Sequence, residues 1–578
     1  MAIAEQATGT RKTIADLWRR AATREGTAYV VERDGEWSEL SWAEAARAVD
    51  EIANGLLATG VGKGDAVGIL GRTTVEWVLF DWALGSIGAI GAGIYPSLPP
   101  ADCSYVLDHA DAVGVLVEDE EQKAKVDAER ENLPKLRHVW TYADLEALRE
   151  RGRGHAEASP NALGDARSAV GEEDLFTYIY TSGTTGPPKA CMISHRNYYS
   201  MVGAVDDVPS FIGPDDVLLL YLPLAHNFGR CLHLLAGYVG CTIAFCPDPP
   251  RVGDFAVQVK PTVLPSVPRV YEKVHSAVQA SFDEATGVKR RLVDWALRVG
   301  RKVSEHRQAG ESVGPWLGLQ HRLADRLVYS KVKARLGGRL RLPISGGAPL
   351  AKEIAEFFHM IDITICEGYG QTECTTASNV NMPTHYRFGT VGPAIPGVEV
   401  RTAPDGEVLV RGPNVFRGYY KDEHATREVV DDDGWLHTGD IGSIDDGFLT
   451  ITDRKKDIIV TAGGKNVAPQ NIENELKASK YISQALVIGD RRPYLTALIT
   501  LDEAAKGLSD VHIRDVVQSA VDEVNEGKAS FEQVKRFVIL PRDFSPEYDE
   551  VTPTLKLRRK VVVEHFADEV DALYAQPR

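Results

Sequence analysis

Between residues 66 and 118 the chain alternates between short apolar runs and segments of helical period, and this alternation limits what it can fold into. Residues 66–70, 90–95 and 113–118 read as strands. Residues 74–88 carry Val75, Val78, Leu79 and Trp82 at helical spacing, and 105–109 are helical. Such alternation predicts an α/β fold, a mainly parallel sheet covered by helices. Upstream, Ile14, Leu17, Trp18 and Ala21 mark a helix over 13–24. Ser41 with Glu44 reads as a capping box opening a second helix that runs to about residue 57. Residues 146–174 are polar and rich in Gly, Ala and Arg, and read as a surface connection.

A second α/β unit begins at His195. Strands are expected at 217–222, 242–246, 263–265, 341–344 and 363–366, with helical, charged sequence over 282–333. In open α/β sheets, ligands collect where loops leave the carboxyl ends of strands. Four loops stand out on that ground: 181–189, 223–230, 345–350 and 367–373. We therefore divide the chain into a large N-terminal domain (1–452), with a small β-rich subdomain at 396–452, and a smaller mobile α+β domain (458–578). The charge run Asp-Arg-Lys-Lys-Asp at 453–457, with a strand on each side, is the expected hinge.

Composition narrows the function. The net charge of −17 argues against a nucleic-acid binder and against a strongly basic membrane patch. Seven cysteines without Cys-x-x-Cys spacing suggest reduced core thiols rather than a zinc site. The N-terminus lacks an apolar leader core, and no apolar run approaches the length of a membrane helix, so a cytoplasmic location without a transmembrane segment is expected.

The chemistry concentrates in a few stretches. Tyr180–Lys189, YTSGTTGPPK, follows the apolar run LFTYIY. Gly183 and Gly186 free backbone N–H groups to point at one anion, while Thr181, Ser182, Thr184, Thr185 and Lys189 add donors and charge. The spacing differs from that of the common nucleotide triphosphatase loop, and an ordinary polar turn remains the plain alternative. Gly346, Gly347 and Ala348 follow a strand, where two glycines let a flat ring approach the backbone. In Glu367-Gly368-Tyr369-Gly370-Gln371-Thr372-Glu373, Tyr369 suits base stacking, Thr372 is a phosphate donor and Glu373 is a hard ligand for Mg²⁺. Asp440 in Trp435-Leu-His-Thr-Gly-Asp440 is either a turn cap or a bidentate acceptor.

Together these stretches resemble the adenylate-forming superfamily, over roughly residues 18–563 and in the family's motif order. Within it, TPTLKLRR at 552–559, KPTVLPSVPRVYEK at 260–273 and GTVGPAIPG at 389–397 look most like the long-chain acyl-CoA synthetase branch. The resemblance implies ATP and Mg²⁺ as cofactors and CoA as co-substrate. It implies an acid adenylated with pyrophosphate release, then transferred to the CoA thiol. It assigns the ribose to Asp440 and Arg454, the carboxylate and α-phosphate to Lys556, and the neighbourhood of the thioester to His226. Lys456 becomes the hinge position, and Gly464 part of the thiol channel.

Three positions depart from the family pattern. Ala190 follows Lys189 where Gly is usual. His226 is followed by Asn227-Phe228-Gly229-Arg230 where Val/Ile-Phe-Glu-Arg is usual. Gln371 stands where Leu or Met is usual. Asn227, Cys231, His233 and Gln371 are thus expected to line a polar acceptor region near Phe228. That expectation keeps a second reading open: the same machinery loading a carrier protein or an amine, or activating nitrite for an aromatic amine as a diazotase. A non-catalytic nucleotide-binding protein is the reading from a different class.

Overall fold

The computed structural model describes residues 11–181, 187–505, 507–552 and 557–575. Ser182, Gly183, Thr184, Thr185 and Gly186 of the phosphate-loop stretch, and Lys556, lie outside the described residues.

Two sheets with parallel cores carry the N-terminal part. The six-stranded sheet runs His138–Thr141, Gly114–Val117, Ala66–Leu70, Ile90–Ile94, Leu175–Thr181, Lys189–Ser194; only the last pair is antiparallel. Ala66–Leu70 and Ile90–Ile94 are buried along their whole length, as apolar strands covered on both faces are. The eight-stranded sheet runs Asn379–Val380, Cys366–Tyr369, Leu342–Ser345, Val263–Ser266, Val217–Leu220, Thr242–Phe245, Thr27–Arg33, Glu36–Ser41, with an antiparallel pair at each edge.

Helix Val75–Ile87 lies between the two sheets and is buried on all sides. Its Trp82 donates to Tyr29 of one sheet (3.1 Å), and its Phe80 meets Trp140 of the other (6.2 Å between rings). Thr74 caps its first turn, and Gly88 closes it in the left-handed region at φ 72°. The capping box of Ser41 and Glu44 is formed on helix Trp42–Ala58.

Three sequence expectations are corrected. Residues 146–174 are largely helical, as Leu145–Ala158 and Ala162–Ala169. The first of these crosses helix Trp42–Ala58 glycine against glycine. A Cβ on Gly152 would sit 1.8 Å from the Glu51 carbonyl oxygen, and one on Gly55 would sit 2.3 Å from that of Leu148. Gly152, one of the glycines that suggested a loop, is there for close packing. The strand expected over 363–366 forms instead as Cys366–Tyr369, because the parallel register pairs Ser345 with Glu367. The turn expected over 223–230 ends in a helix, Asn227–Val239, whose first turn already contains Arg230.

A four-stranded antiparallel sheet follows: Glu399–Thr402, Glu407–Arg411, Leu436–Asp445, Phe448–Arg454. Beyond residue 458 the chain builds a three-stranded sheet (Ile482–Ile488, Leu495–Leu501, Val534–Ile539) with helices Pro469–Lys477, Asp510–Asn525, Arg559–His565 and Ala567–Ala575. Its apolar residues form two clusters that share no member with the cores before them. Polar contacts join this part to the rest: Arg269 donates to the Ser483 carbonyl (2.9 Å) and hydroxyl (2.6 Å), and Lys477 meets Glu272 at 3.4 Å. No helix among the described residues is long and apolar enough to cross a membrane.

Candidate active site

Asp440 is the hub. It pairs across two antiparallel strands with Arg454, so their side chains meet on one face, Arg454 Nε donating to Asp440 Oδ1 at 3.0 Å. Tyr369, at the end of Cys366–Tyr369, donates its hydroxyl to Oδ2 at 2.6 Å. Gln371 Nε2 reaches the same oxygen at 2.6 Å and the Thr438 carbonyl at 2.7 Å. Burial and the neighbouring carboxylate push the Tyr369 phenol well above its ordinary range, so it stays a donor. Between them Gly370 is obligatory, since a Cβ there would lie 2.2 Å from the Thr376 carbonyl oxygen.

A second group gathers around Tyr419, a residue the sequence reading did not single out. Its hydroxyl donates to Glu373 Oε1 at 2.7 Å, and its ring lies 5.0 Å from Lys189 Nζ. Lys189 also meets Asp422 at 3.6 Å. Tyr419 thus joins the cation after the phosphate-loop stretch to the candidate metal ligand. The one available signal was the pair Tyr419-Tyr420 after Gly418, whose φ of 116° suits glycine. Among the described residues the Glu373 side chain makes this one hydrogen bond, through Oε1. No group of three or more metal-ligating side chains occurs among the described residues. A carboxylate oxygen is the hard kind of donor that suits Mg²⁺.

The segment after Glu373 is strained. Thr375 (φ 48°) and Thr376 (φ 94°) are β-branched residues in the left-handed region. Hydrogen bonds hold them there, from Thr375 Oγ1 to the Asn414 carbonyl (2.6 Å) and from Thr376 Oγ1 to Asn227 Oδ1 (3.0 Å).

The glycine turn after Leu342–Ser345 faces the same edge. Gly347 has φ 83°, Gly347 and Ala348 are exposed, and a Cβ on Gly346 would lie 3.4 Å from the Phe228 ring. Glu367 accepts from the Leu350 amide at 3.0 Å, and burial pushes its carboxyl up to about 7. Thr372 offers its carbonyl to Asn227 Nδ2 at 3.4 Å. Gly368 is half-buried in the strand.

His226 is the N-cap of Asn227–Val239, its Nδ1 accepting from the Phe228 amide at 3.2 Å. The polar residues after it do not assemble into an acceptor surface. Asn227 is buried and held by Tyr198 (2.5 Å) and Thr376, and Cys231 is buried with its thiol pushed up to about 12. His233 Nε2 binds Asp81 Oδ2 at 2.9 Å inside the core, while Gln371 is committed to Asp440 and Thr438. Asp81 also pairs with Arg230, whose Nε lies 3.1 Å from Oδ2; both residues are fully buried, and Arg230 Nη1 donates to Thr177. The departure at Gly229 has a steric cause: a Cβ there would lie 2.4 Å from the Pro223 carbonyl oxygen.

Past Arg454, Lys455 meets Asp405 (2.7 Å) and Glu407 (3.2 Å), and Lys456 is exposed. Gly464 sits exposed at φ 71° in the turn between Ile459–Val460 and Asn466–Val467. Thr181 Oγ1 lies 3.4 Å from the Lys189 carbonyl across the loop.

The family model described as AMP-binding enzyme matches residues 17–420. The chain belongs to the AMP-binding enzyme family. The model of that family's C-terminal domain matches residues 456–578. The chain is 39% identical over 567 residues to the long-chain-fatty-acid–CoA ligase FadD15 of Mycobacterium bovis, covering 94% of this chain and 93% of the relative. It is 30% identical over 621 residues to the long-chain-fatty-acid–CoA ligase ACSBG2 of Xenopus laevis, covering 97% and 84%. Among solved structures, the anthranilate CoA ligase AuaEII in complex with anthranoyl-AMP shares the fold (TM-score 0.75, 20% identity, 98% and 99% covered). So does ATP-bound MatB from Rhodopseudomonas palustris (TM-score 0.70, 24% identity, 96% and 99% covered).

Proposed function

We propose that this chain is an ATP-dependent, AMP-forming acyl-CoA ligase acting on a long-chain fatty acid in the cytoplasm. The observation that carries the reading is that the loop 369–373 ties two groups together: Tyr369 and Gln371 bind Asp440, which pairs with Arg454, and Glu373 binds Tyr419, whose ring lies beside Lys189. The two named relatives, both fatty-acid–CoA ligases, support the choice of acid and of CoA as acceptor.

In this reading Asp440 and Arg454 hold the ribose, and Tyr369 with the Gly346–Gly347–Ala348 turn flanks the base. Lys189, Thr181, Thr372 and the loop at 182–186 take the phosphates. Glu373 would hold Mg²⁺, which neutralises triphosphate charge when bound. The fatty-acid carboxylate attacks the α-phosphorus; one P–O bond forms, the bond to pyrophosphate breaks, and acyl-AMP results. Lys556 supplies the cation that two approaching anions require. The CoA thiol, on losing its proton, then displaces AMP to form the thioester, with His226 beside the carbonyl. The segment 453–457, with Lys456, is the hinge about which 458–578 turns between the half-reactions, Gly464 then bordering the thiol channel.

The nitrite reading loses its motive, since Asn227, Cys231, His233 and Gln371 spend their polar atoms inside the protein. The test is pyrophosphate release with Mg²⁺-ATP across long, medium and aromatic acids, and nitrite with an arylamine, each with and without CoA. CoA-dependent turnover of long-chain acids, lost in Lys556→Ala, is expected. Release that requires nitrite and an amine, indifferent to CoA, sinks the proposal.

A further inference from the structure

The chain is acidic overall, yet residues 287–341 hold fourteen Lys and Arg against four Asp and Glu. Within that segment helix Pro315–Ala324, the π-turn Asp325–Tyr329 and helix Ser330–Ala334 form one continuous helical rod. Its inner side is core, with His321, Ala324, Val328, Tyr329 and Val332 buried. Its outer side is apolar where solvent should meet polar groups: Trp316 is 71% exposed, Leu319 56%, Leu323 50% and Leu327 37%.

These four recur at intervals of three, four and four residues, so on a helix they form one stripe. Arg322 and Arg326 run along one border, and Lys331 and Arg335 follow on the other. All four are exposed, and none has a carboxylate partner among the described residues. The one acid of the rod, Asp325, is engaged by Lys333 at 2.8 Å. A solvated helix would carry alternating charges, and a buried one would lack the cations. A Trp- and Leu-bearing stripe between rows of unpaired cations, with no free acid on that face, is the pattern of a helix lying in the plane of a membrane surface.

We propose that the outer face of residues 315–335 docks the protein onto a bilayer of anionic lipid. Trp316, Leu319, Leu323 and Leu327 enter the headgroup boundary, and Arg322, Arg326, Lys331 and Arg335 contact lipid phosphates. The local charge is what commits the face to a lipid surface rather than to a second copy of the chain, whose matching face would bring the same cations together. The inference is independent of which acid the enzyme activates.

Flotation of the full-length protein with vesicles tests it. With phosphatidylcholine containing one third phosphatidylglycerol, the protein is expected to float with the vesicles at low salt and to leave them as salt rises. With phosphatidylcholine alone it should remain in solution. The variants Leu319→Glu/Leu323→Glu and Arg322→Glu/Arg326→Glu should each lower partitioning about tenfold or more. Their melting curves, and their turnover of a short water-soluble acid, should match wild type. Failure of the wild type to float with anionic vesicles overturns the proposal, as does undiminished flotation of both variants. A dimer in sedimentation that Leu319→Glu/Leu323→Glu splits, without flotation, overturns it in favour of self-association.

Discussion

Replacing Arg230 with Met should destabilise the protein far more than its distance from the nucleotide side of the site suggests. Arg230 and Asp81 are both fully buried, joined through Nε at 3.1 Å and through Nη2. The guanidinium also lies between the rings of Phe176 (4.6 Å) and Trp77 (5.2 Å). Met fills much of the same volume but leaves the Asp81 carboxylate, among the described residues, with His233 as its one remaining side-chain donor. A buried pair broken on one side costs roughly 3–5 kcal/mol, because the surviving charge has lost its compensation. Neutralising that charge should return a large part of the loss. Arg230→Met/Asp81→Asn is therefore expected to be more stable than Arg230→Met alone, recovering at least about 1–2 kcal/mol. The assay is urea unfolding followed by the fluorescence of Trp77 and Trp82, which lie against this cluster. Pyrophosphate release is measured in parallel, because helix Asn227–Val239 carries His226 at its cap and Thr177 lies on the strand that ends at Thr181. A single variant within about 1 kcal/mol of wild type, or a double variant showing the sum of two losses, would refute the reasoning.

Three further outcomes follow from the same geometry. Glu367 has its carboxyl raised from the ordinary value to about 7 by burial, so between those values the native state holds a proton that the unfolded state has released. That contribution to stability is full at low pH and is lost as pH rises toward 7. Glu367→Gln, which can still accept from Leu350, should flatten the slope of melting temperature between about pH 5 and 8 and match or exceed wild type at pH 8; an unchanged slope counts against it. Gly229→Ala forces a Cβ to 2.4 Å from the Pro223 oxygen and should lose about 1–3 kcal/mol in thermal or urea unfolding, whereas a neutral effect would mean the helix start yields freely. Gln371→Met removes the amide that binds Asp440 and the Thr438 carbonyl, so KM for ATP should rise roughly five- to thirty-fold, as loss of a 1–2 kcal/mol contact implies, with KM for the acid unmoved. An unaltered KM for ATP would show that Asp440 needs no such support.

What was legible in the sequence was what local chemistry decides. The capping box at Ser41, the helices over 13–24 and 74–88 and the apolar central strands need only neighbours in the chain to be recognised. What was not legible depends on distant partners. Gly152 looks like a loop residue until the Glu51 carbonyl is seen to occupy the place of its missing Cβ. Pro223 and Gly229 look like one turn, yet the second is helical and glycine because the first lies against it. Tyr419 carries no motif, and only the fold brings it to Glu373 across forty-six positions. The polar departures after His226 misled for the same reason: Asn227 and His233 bond to Tyr198, Thr376 and Asp81, contacts that no local pattern predicts.

Asp453 and Arg454 are neighbours that face opposite ways. Arg454 donates to Asp440 on the nucleotide side of the proposed site. Asp453 accepts, through Oδ2, from the Gln470 amide at 2.9 Å, at the N-terminus of the helix that opens the C-terminal part. Burial pushes the Asp453 carboxyl up to about 6 even against that donor, so its charge is poorly compensated where it stands. Another tie to that helix is Arg559, three positions beyond Lys556 in sequence, whose guanidinium reaches Glu473 at 2.5 Å. A rotation about residues 453–457 would therefore act directly on the bonds at Asp453 and Arg454, while the Arg559–Glu473 pair, internal to the C-terminal part, would travel with it. If the proposed hinge turns, Arg559 moves with helix Pro469–Lys477 through its pairing to Glu473, and the adjacent residues Asp453 and Arg454 are the link between that helix and the proposed nucleotide site.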